Sequence, residues 1–202
     1  MDIPTKGVNM EKIAIKIQKI LPIIIVVSFL IMAIYALGMA TPSAVILNWE
    51  GTVDGVKSTD FYDAIQPINN TILILAIIGI VISLCFSILR NNIRKIYYVS
   101  NFVWFGVYFA ITIFSAIYTF IGVSTYQNAY SKIPFAEVNQ YFADRNLSLF
   151  VNENTPIFIL GYVVAIILLL TLIPAVILLI NKIKTSIAWK NHLKEIEQEE
   201  AK

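Results

Sequence analysis

Four long apolar runs alternate with polar segments along the chain. The runs have 18 to 24 residues each and contain no Asp, Glu, Lys, Arg or His; they cover residues 21–40, 72–89, 102–123 and 157–180. About 20 helical residues cross a bilayer core of ~30 Å. The runs lack the two-residue alternation of barrel strands. The pattern therefore predicts an all-α membrane protein with four transmembrane helices.

Basic residues between the runs alternate in number and predict the orientation. Twelve Lys and Arg residues lie in 1–20, 90–101 and 181–202, whereas 41–71 and 124–156 together hold three. Cytoplasmic segments carry the excess of Lys and Arg. We therefore expect a multi-pass protein of the cell membrane with both termini in the cytoplasm and an up-down-up-down bundle. A cleaved leader is a weaker alternative, because the first run exceeds the 7–15 apolar residues of a signal peptide.

Both predicted cytoplasmic ends have helical character. Segment 1–20 is predicted to be an amphipathic helix that lies in the interface, with its lysines toward anionic lipid headgroups and Pro22 at the turn into the first span. Its apolar stripe consists of Met10, Ile13, Ile17 and Ile20. Segment 181–202 is predicted to be a cytoplasmic tail, basic near the membrane and acidic toward its end.

The two segments predicted to lie outside are large enough for a small extracytoplasmic cap. In segment 124–156, Phe135, Val138 and Phe142 recur at helical spacing after Pro134, which predicts a short helix ending at about Asp144. Segment 41–71 has less periodicity. We expect it to be irregular, with a short strand over Ala44–Trp49.

Composition agrees with a membrane protein and excludes several other classes. Hydrophobic residues make up 58% of the chain and charged residues 14%, against about 45–50% and about 25% in soluble domains. A single cysteine excludes a disulfide scaffold, and a net charge of +2 predicts no nucleic-acid partner. Frequent Ile, Lys and Asn suggest an AT-rich prokaryotic genome.

Residues typical of catalysis or metal binding are sparse. His192 has no Cys or His partner at metal-ligand spacing, and Cys85 has neither a second thiol nor a nearby base. The acids at 50, 54, 60 and 63 lack the spacing of an EF-hand loop. We therefore predict no catalytic residue, cofactor or metal, and an enzyme is the least favoured class.

Small and polar residues at helical spacing form the most specific pattern. One set consists of Gly79, Ser83 and Ser87 in the second span with Gly161 and Ala165 in the fourth. The other is a stripe in the third span, formed by Tyr108, Thr112, Ser115 and Thr119. Such residues allow close helix packing in lipid. A dry packing seam is the favoured interpretation of the stripe, and the wall of a polar cavity for an uncharged solute is the alternative.

The functional expectation combines these seams with the lack of ionisable groups in the spans. Pumps and ion-coupled carriers keep such groups within the membrane. We expect a non-catalytic accessory, assembly or scaffold subunit that binds protein partners or a second copy of itself. The alternative is an oligomeric channel or carrier for a neutral or lipid-like solute.

Overall fold

The computed structural model describes residues 5–40, 51–90, 99–147, 150–153 and 156–200 and is almost entirely helical. Its helices are α1 (Thr5–Met39), α2 (Ser58–Arg90), α3 (Val99–Tyr130), α4 (Phe135–Asp144), α5 (Ile157–Leu170) and α6 (Leu172–Glu200). A hairpin of β1 (Thr52–Val53) and β2 (Val56–Lys57) precedes α2. Four helical stretches are long and apolar enough to cross a membrane: Ile20–Met39, Ser58–Cys85, Phe102–Tyr130 and Ile157–Lys184. The structure thus supports an all-α, multi-pass membrane protein.

The long helices pack around one interior. α1 contacts α2, α2 contacts α3, α3 contacts α5, and α5 also contacts α1. Large aromatic and aliphatic side chains such as Phe29, Phe105 and Leu168 fill this interior, while many Ile, Leu and Val side chains remain exposed on the outside. Exposed apolar side chains on every long helix are expected where lipid replaces water. We call the end of the bundle that carries α4 and the hairpin the α4 end.

Helix α1 differs from the prediction at Pro22. The structure has one continuous helix through this proline, so the predicted turn between an interfacial helix and the first span is wrong. A proline inside a helix removes one backbone hydrogen bond. Leu21 and Ile25 on either side are fully buried, and their packing holds the helix together across that position.

Helix α2 begins well before the second apolar run, so the irregular structure predicted for 41–71 is wrong from Ser58 onward. The backbone N–H of Lys57 donates to the Asp60 carboxylate (2.8 Å) at the start of this helix. Phe61 and Ile65 then bury one face. Polar residues on the other face lower the mean hydropathy of the first turns of α2. The apolar run alone therefore gives too short a helix. The strand predicted over Ala44–Trp49 lies outside the described residues.

The hairpin and α4 form the compact part of the α4 end. Val53 pairs with Val56, and the turn between them places Asp54 and Gly55 at positive φ (49° and 79°), as an Asp-Gly hairpin turn requires. Helix α4 confirms the short helix predicted after Pro134, and it buries Val138 and Phe142.

The fourth apolar run is not one uninterrupted helix. Thr171 separates α5 from α6, with φ −66° and ψ −20°. Pro174 follows three residues later and has no N–H to donate to the carbonyl of Leu170. The interruption therefore has a local cause, and it lies where α5 and α6 face α3.

Candidate functional site

The polar stripe of α3 faces the bundle interior. Tyr108, Thr112, Ser115 and Thr119 are each 0% exposed. Steps of four, three and four residues keep them on one side of the helix. The structure thus brings the four predicted stripe residues together as one buried column.

Tyr108 joins this column to the helix interruption. Its hydroxyl forms a short hydrogen bond with the Thr171 hydroxyl, and Thr171 also donates to the backbone oxygen of Leu168 (2.6 Å). This hydrogen bond connects the stripe to the residue between α5 and α6. Thr171 was not among the predicted site residues. The available clue was Pro174, because its missing N–H leaves the carbonyl of Leu170 without its usual helical donor.

Several other buried hydroxyls are satisfied within their own helix. Thr119 donates to the carbonyl of Ser115 (2.8 Å), Ser83 to that of Gly79 (2.6 Å), and Ser28 to that of Ile24 (2.8 Å). In bonds of this type the hydroxyl donates its hydrogen within its own helix. They therefore fix side-chain rotamers and do not link one helix to another.

Three buried hydroxyl oxygens have no hydrogen-bond partner among the described residues. They belong to Thr112 and Ser115 of the stripe and to Tyr35 of α1. An unsatisfied buried polar atom costs about 1–3 kcal/mol. A water molecule or a polar solute that reached one of these hydroxyl groups could form a hydrogen bond with it.

The predicted small residues permit close helix contacts at two positions. A methyl group at Gly79 would overlap the Phe29 ring of α1. One at Gly161 would overlap Tyr35 of α1 and Val123 of α3. Ala165, one turn further along α5, is fully buried.

Two small residues of α3 that stand four positions apart, Gly106 and Ala110, do not lie at such contacts. Gly106 has nothing within 4 Å of an added methyl group, and both residues are exposed. Ser87 belongs to α2, but its side chain lies outside the described side chains.

A second polar centre lies nearer the α4 end and was missed at the sequence level. Asn69 of α2 is 2% exposed; its side-chain nitrogen donates to the Ala36 carbonyl of α1 (2.8 Å). The Tyr126 hydroxyl of α3 donates to the Asn69 side-chain oxygen (3.0 Å). One amide thus bridges three helices. Its position between Ile65 and Ile72, at helical spacing from both, was the available clue.

Two cavities open at the α4 end. The larger, about 760 Å³, lies between the end of α3 and the starts of α4 and α5, and its walls include Gln127, Tyr130 and Glu153. The smaller, about 120 Å³, lies beside Asn69 and Asp63. None of the four stripe residues lines either cavity. The 0% exposure of these four residues shows that neighbouring side chains cover them.

Within the described ranges, no three His, Cys, Asp or Glu side chains lie together as a metal site would require. Cys85 is half-buried in α2 with a free thiol. The buried polar side chains that the structure does describe are all neutral: Ser28, Asn69, Ser83, Thr112, Ser115, Thr119 and Thr171. Comparison with protein-family models, with curated proteins and with solved structures finds no match for this chain.

Proposed function

We propose that this chain is a non-catalytic accessory, assembly or scaffold subunit of a larger complex in the cell membrane. The proposed topology is an up-down-up-down bundle with both termini in the cytoplasm and the α4 end as a small cap outside. The alternation of Lys and Arg between the apolar runs supports this orientation. In it, the basic start of α1 and the basic part of α6 meet anionic headgroups of the inner leaflet.

The observation that carries the functional proposal is the closed interior. The stripe residues are fully buried. At Gly79 and Gly161, side chains of neighbouring helices occupy the space that a methyl group on the glycine would need. Among the described residues, this packing keeps the stripe out of contact with solvent, which supports a role other than conduction through the bundle. The function of the chain would then be exerted through its surfaces, on protein partners or a second copy.

The surfaces available for this role are extensive. Exposed apolar side chains occur along α1, α2, α3, α5 and α6, and Phe150, which follows α4 in the sequence, is 72% exposed. Helix α6 also continues from Lys184 to Glu200, beyond the apolar stretch of the fourth span. Partner contacts within the membrane and at either face are therefore all sterically possible.

The test is to purify the tagged full chain from native membranes in a mild detergent and to identify the co-eluting proteins by mass spectrometry. The proposal predicts foreign subunits in a fixed stoichiometric ratio. A matched sample carrying Gly161→Ala, which disturbs the α1–α3–α5 contact, should lose them if assembly needs the native bundle. A homo-oligomer that elutes without foreign subunits and conducts a solute in liposomes would contradict the proposal.

A channel or carrier for a neutral or lipid-like solute is the second candidate. The observation that favours it is the set of unpartnered hydroxyls on Thr112, Ser115 and Tyr35. If these oxygens contact water or solute in a second conformation, Thr112→Val with Ser115→Ala should fold normally but fail to complement the growth defect of a strain that lacks the gene. Normal complementation by this double variant would exclude the stripe as a transport path.

A further inference from the structure

One lysine of α6 lies on the side of the helix that faces the bundle. Lys182 is half-buried, and helical steps of three and four residues place it on the same face as the buried Ala175 and Leu178. Lys184 is exposed and lies on the opposite side, because two helical residues turn the chain by about 200°. Lys182 therefore belongs to the inward face of α6.

The ammonium group of Lys182 contacts α3 at the end of the bundle opposite the α4 end. Its Nζ lies 5.4 Å from the centroid of the Phe105 ring, which is 1% exposed. Lys182 is two residues before the end of the apolar stretch Ile157–Lys184, and Phe105 is three residues after the start of Phe102–Tyr130. The contact thus lies within about 5 Å of the boundary of both stretches. In a bilayer this is the level at which hydrocarbon gives way to lipid headgroups.

No described side chain supplies a counter-ion for Lys182. Within the described ranges, its Nζ contacts the Phe105 ring but forms no ion pair or hydrogen bond. The described carboxylates from Asp54 to Glu153 lie at the α4 end. The acidic end of α6 begins at Glu195, 13 residues or about 20 Å further along the helix. A half-buried cation without an opposite charge is unfavourable, so this position favours an anion from outside the chain.

The anion that a bilayer offers at this level is the phosphate of a phospholipid. The same end of the molecule is basic, since Lys16 of α1 and Lys184 of α6 are exposed there and Arg90 ends α2. Positive charge near the membrane surface attracts anionic lipids. Charge complementarity therefore selects an anionic phospholipid as the occupant.

We propose that Lys182 binds an anionic phospholipid at the contact between α3 and α6, with its ammonium group paired to the lipid phosphate. This inference rests on the proposed contact between the basic end of the molecule and anionic headgroups, and it adds one fixed lipid to that layer. Exposed lysines attract headgroups diffusely, and salt screens that attraction. A partly buried pair is screened much less, so the Lys182 site should hold its lipid at salt concentrations where the exposed lysines no longer do.

The test measures the affinity of the purified full chain for fluorescent phosphatidylglycerol in a mild detergent. Phosphatidylcholine, which has the same phosphate but no net charge, is the comparison lipid. At about 0.1 M salt and again at about 0.5 M, we expect phosphatidylglycerol to bind about fivefold more tightly. Lys182→Met should remove this preference at both salt concentrations. Lys184→Met is the matched control and should weaken it at the lower concentration only.

The salt series separates the site from the diffuse contact on which it rests. A preference that survives Lys182→Met at the higher salt concentration would overturn the site. A preference that exists at low salt and disappears at high salt would also overturn it, while leaving the diffuse headgroup contact intact. Equal affinity for the two lipids at both concentrations would reject the site and the headgroup contact together.

A charge-conserving variant separates charge from packing. Met is a flexible apolar side chain that can keep the contact with Phe105, so Lys182→Met should not lower the melting temperature. Lys182→Arg keeps the positive charge and should keep the lipid preference. Equal loss of the preference in Lys182→Arg and Lys182→Met would assign the effect to packing and overturn the proposal.

Two other sources of an anion are distinguished by the remaining measurements. Inorganic phosphate at the concentration of the lipid should not displace phosphatidylglycerol; displacement would assign the site to a soluble anion. In native membranes, loss of a co-purifying subunit from Lys182→Met, together with unchanged phosphatidylglycerol binding, would assign Lys182 to a carboxylate of a protein partner. Either result would overturn the lipid assignment.

Discussion

Individual hydroxyl groups in the interior are of two kinds, and the difference is measurable. Thr119 is bonded to a carbonyl of its own helix, whereas Thr112 and Ser115 have no partner among the described residues. Removing a bonded hydroxyl loses a hydrogen bond. Removing an unpartnered one relieves a desolvated polar atom. Similar substitutions at these positions should therefore change the free energy of unfolding by different amounts.

The first prediction concerns Thr112→Val and Ser115→Ala. Each should change the free energy of unfolding by less than about 0.5 kcal/mol or increase it, because the hydroxyl removed has no partner. Thr119→Val is the matched control and should cost about 0.5–1 kcal/mol. Ser115→Leu adds volume to a packed interior and should cost about 1–3 kcal/mol. Denaturation in detergent measures all four. A loss of about 2 kcal/mol for Thr112→Val would show that its hydroxyl has a bound partner such as water.

The second prediction compares two glycines. Gly161→Ala should lower stability by about 1–3 kcal/mol, because the new methyl group overlaps Tyr35 and Val123. Gly106→Ala meets nothing within 4 Å and should raise stability by up to about 1 kcal/mol through helix propensity. Melting temperatures in detergent give the comparison. Equal shifts in the same direction would mean that α5 does not pack closely against α1 and α3.

At the level of helices, Asn69 shows how one side chain can connect three of them. It accepts from Tyr126 of α3 and donates to the Ala36 carbonyl of α1. Bonds between transmembrane helices average only about 0.6 kcal/mol. Two such bonds on one buried amide nevertheless fix the rotation of α2 relative to both neighbours, because a rotated α2 would leave the amide unpaired.

The third prediction is a double-mutant cycle on this contact. Asn69→Leu should cost about 2 kcal/mol, since it leaves the Tyr126 hydroxyl unpaired and removes the side-chain donor from the Ala36 carbonyl, which keeps its bond from the Ala40 N–H. Tyr126→Phe alone should cost about 1 kcal/mol, and the double variant should cost less than the sum by at least about 0.5 kcal/mol. The neighbouring Asn70 is exposed, so Asn70→Leu is the control and should have little effect. Strictly additive values for the pair would contradict a direct hydrogen bond.

Sequence patterns predicted the helices that are uniformly apolar and the short helix with clear periodicity. Val138 and Phe142 of α4 are buried as their spacing indicates. The start of α2 was missed because a half-polar helix has low mean hydropathy, although Phe61, Ile65 and Ile72 recur at helical spacing. Pairings such as Tyr108 with Thr171 could not be predicted, because they depend on how two helices are aligned in space.

For the whole molecule, the orientation in the membrane is the prediction with the broadest consequence. In a chain with Cys85→Ala, a cysteine introduced at Ser131 should react with an impermeant maleimide in intact cells. One introduced at Gln198 should react only after permeabilisation, because α6 extends into the cytoplasm in the proposed topology. Both positions are exposed, so access depends on the side of the membrane alone. Labelling of Gln198→Cys in intact cells would reverse the proposed orientation.

The length of α6 determines how far a local change at Thr171 reaches. The helix runs without a further break from Leu172 to Glu200, 29 residues or about 43 Å at 1.5 Å per residue. Thr171, whose hydroxyl is bonded to Tyr108, directly precedes it. A 10° difference in the direction of α6 at that residue would displace the far end of the helix by about 7 Å. The position of the acidic end of α6 is therefore sensitive to the backbone conformation at Thr171.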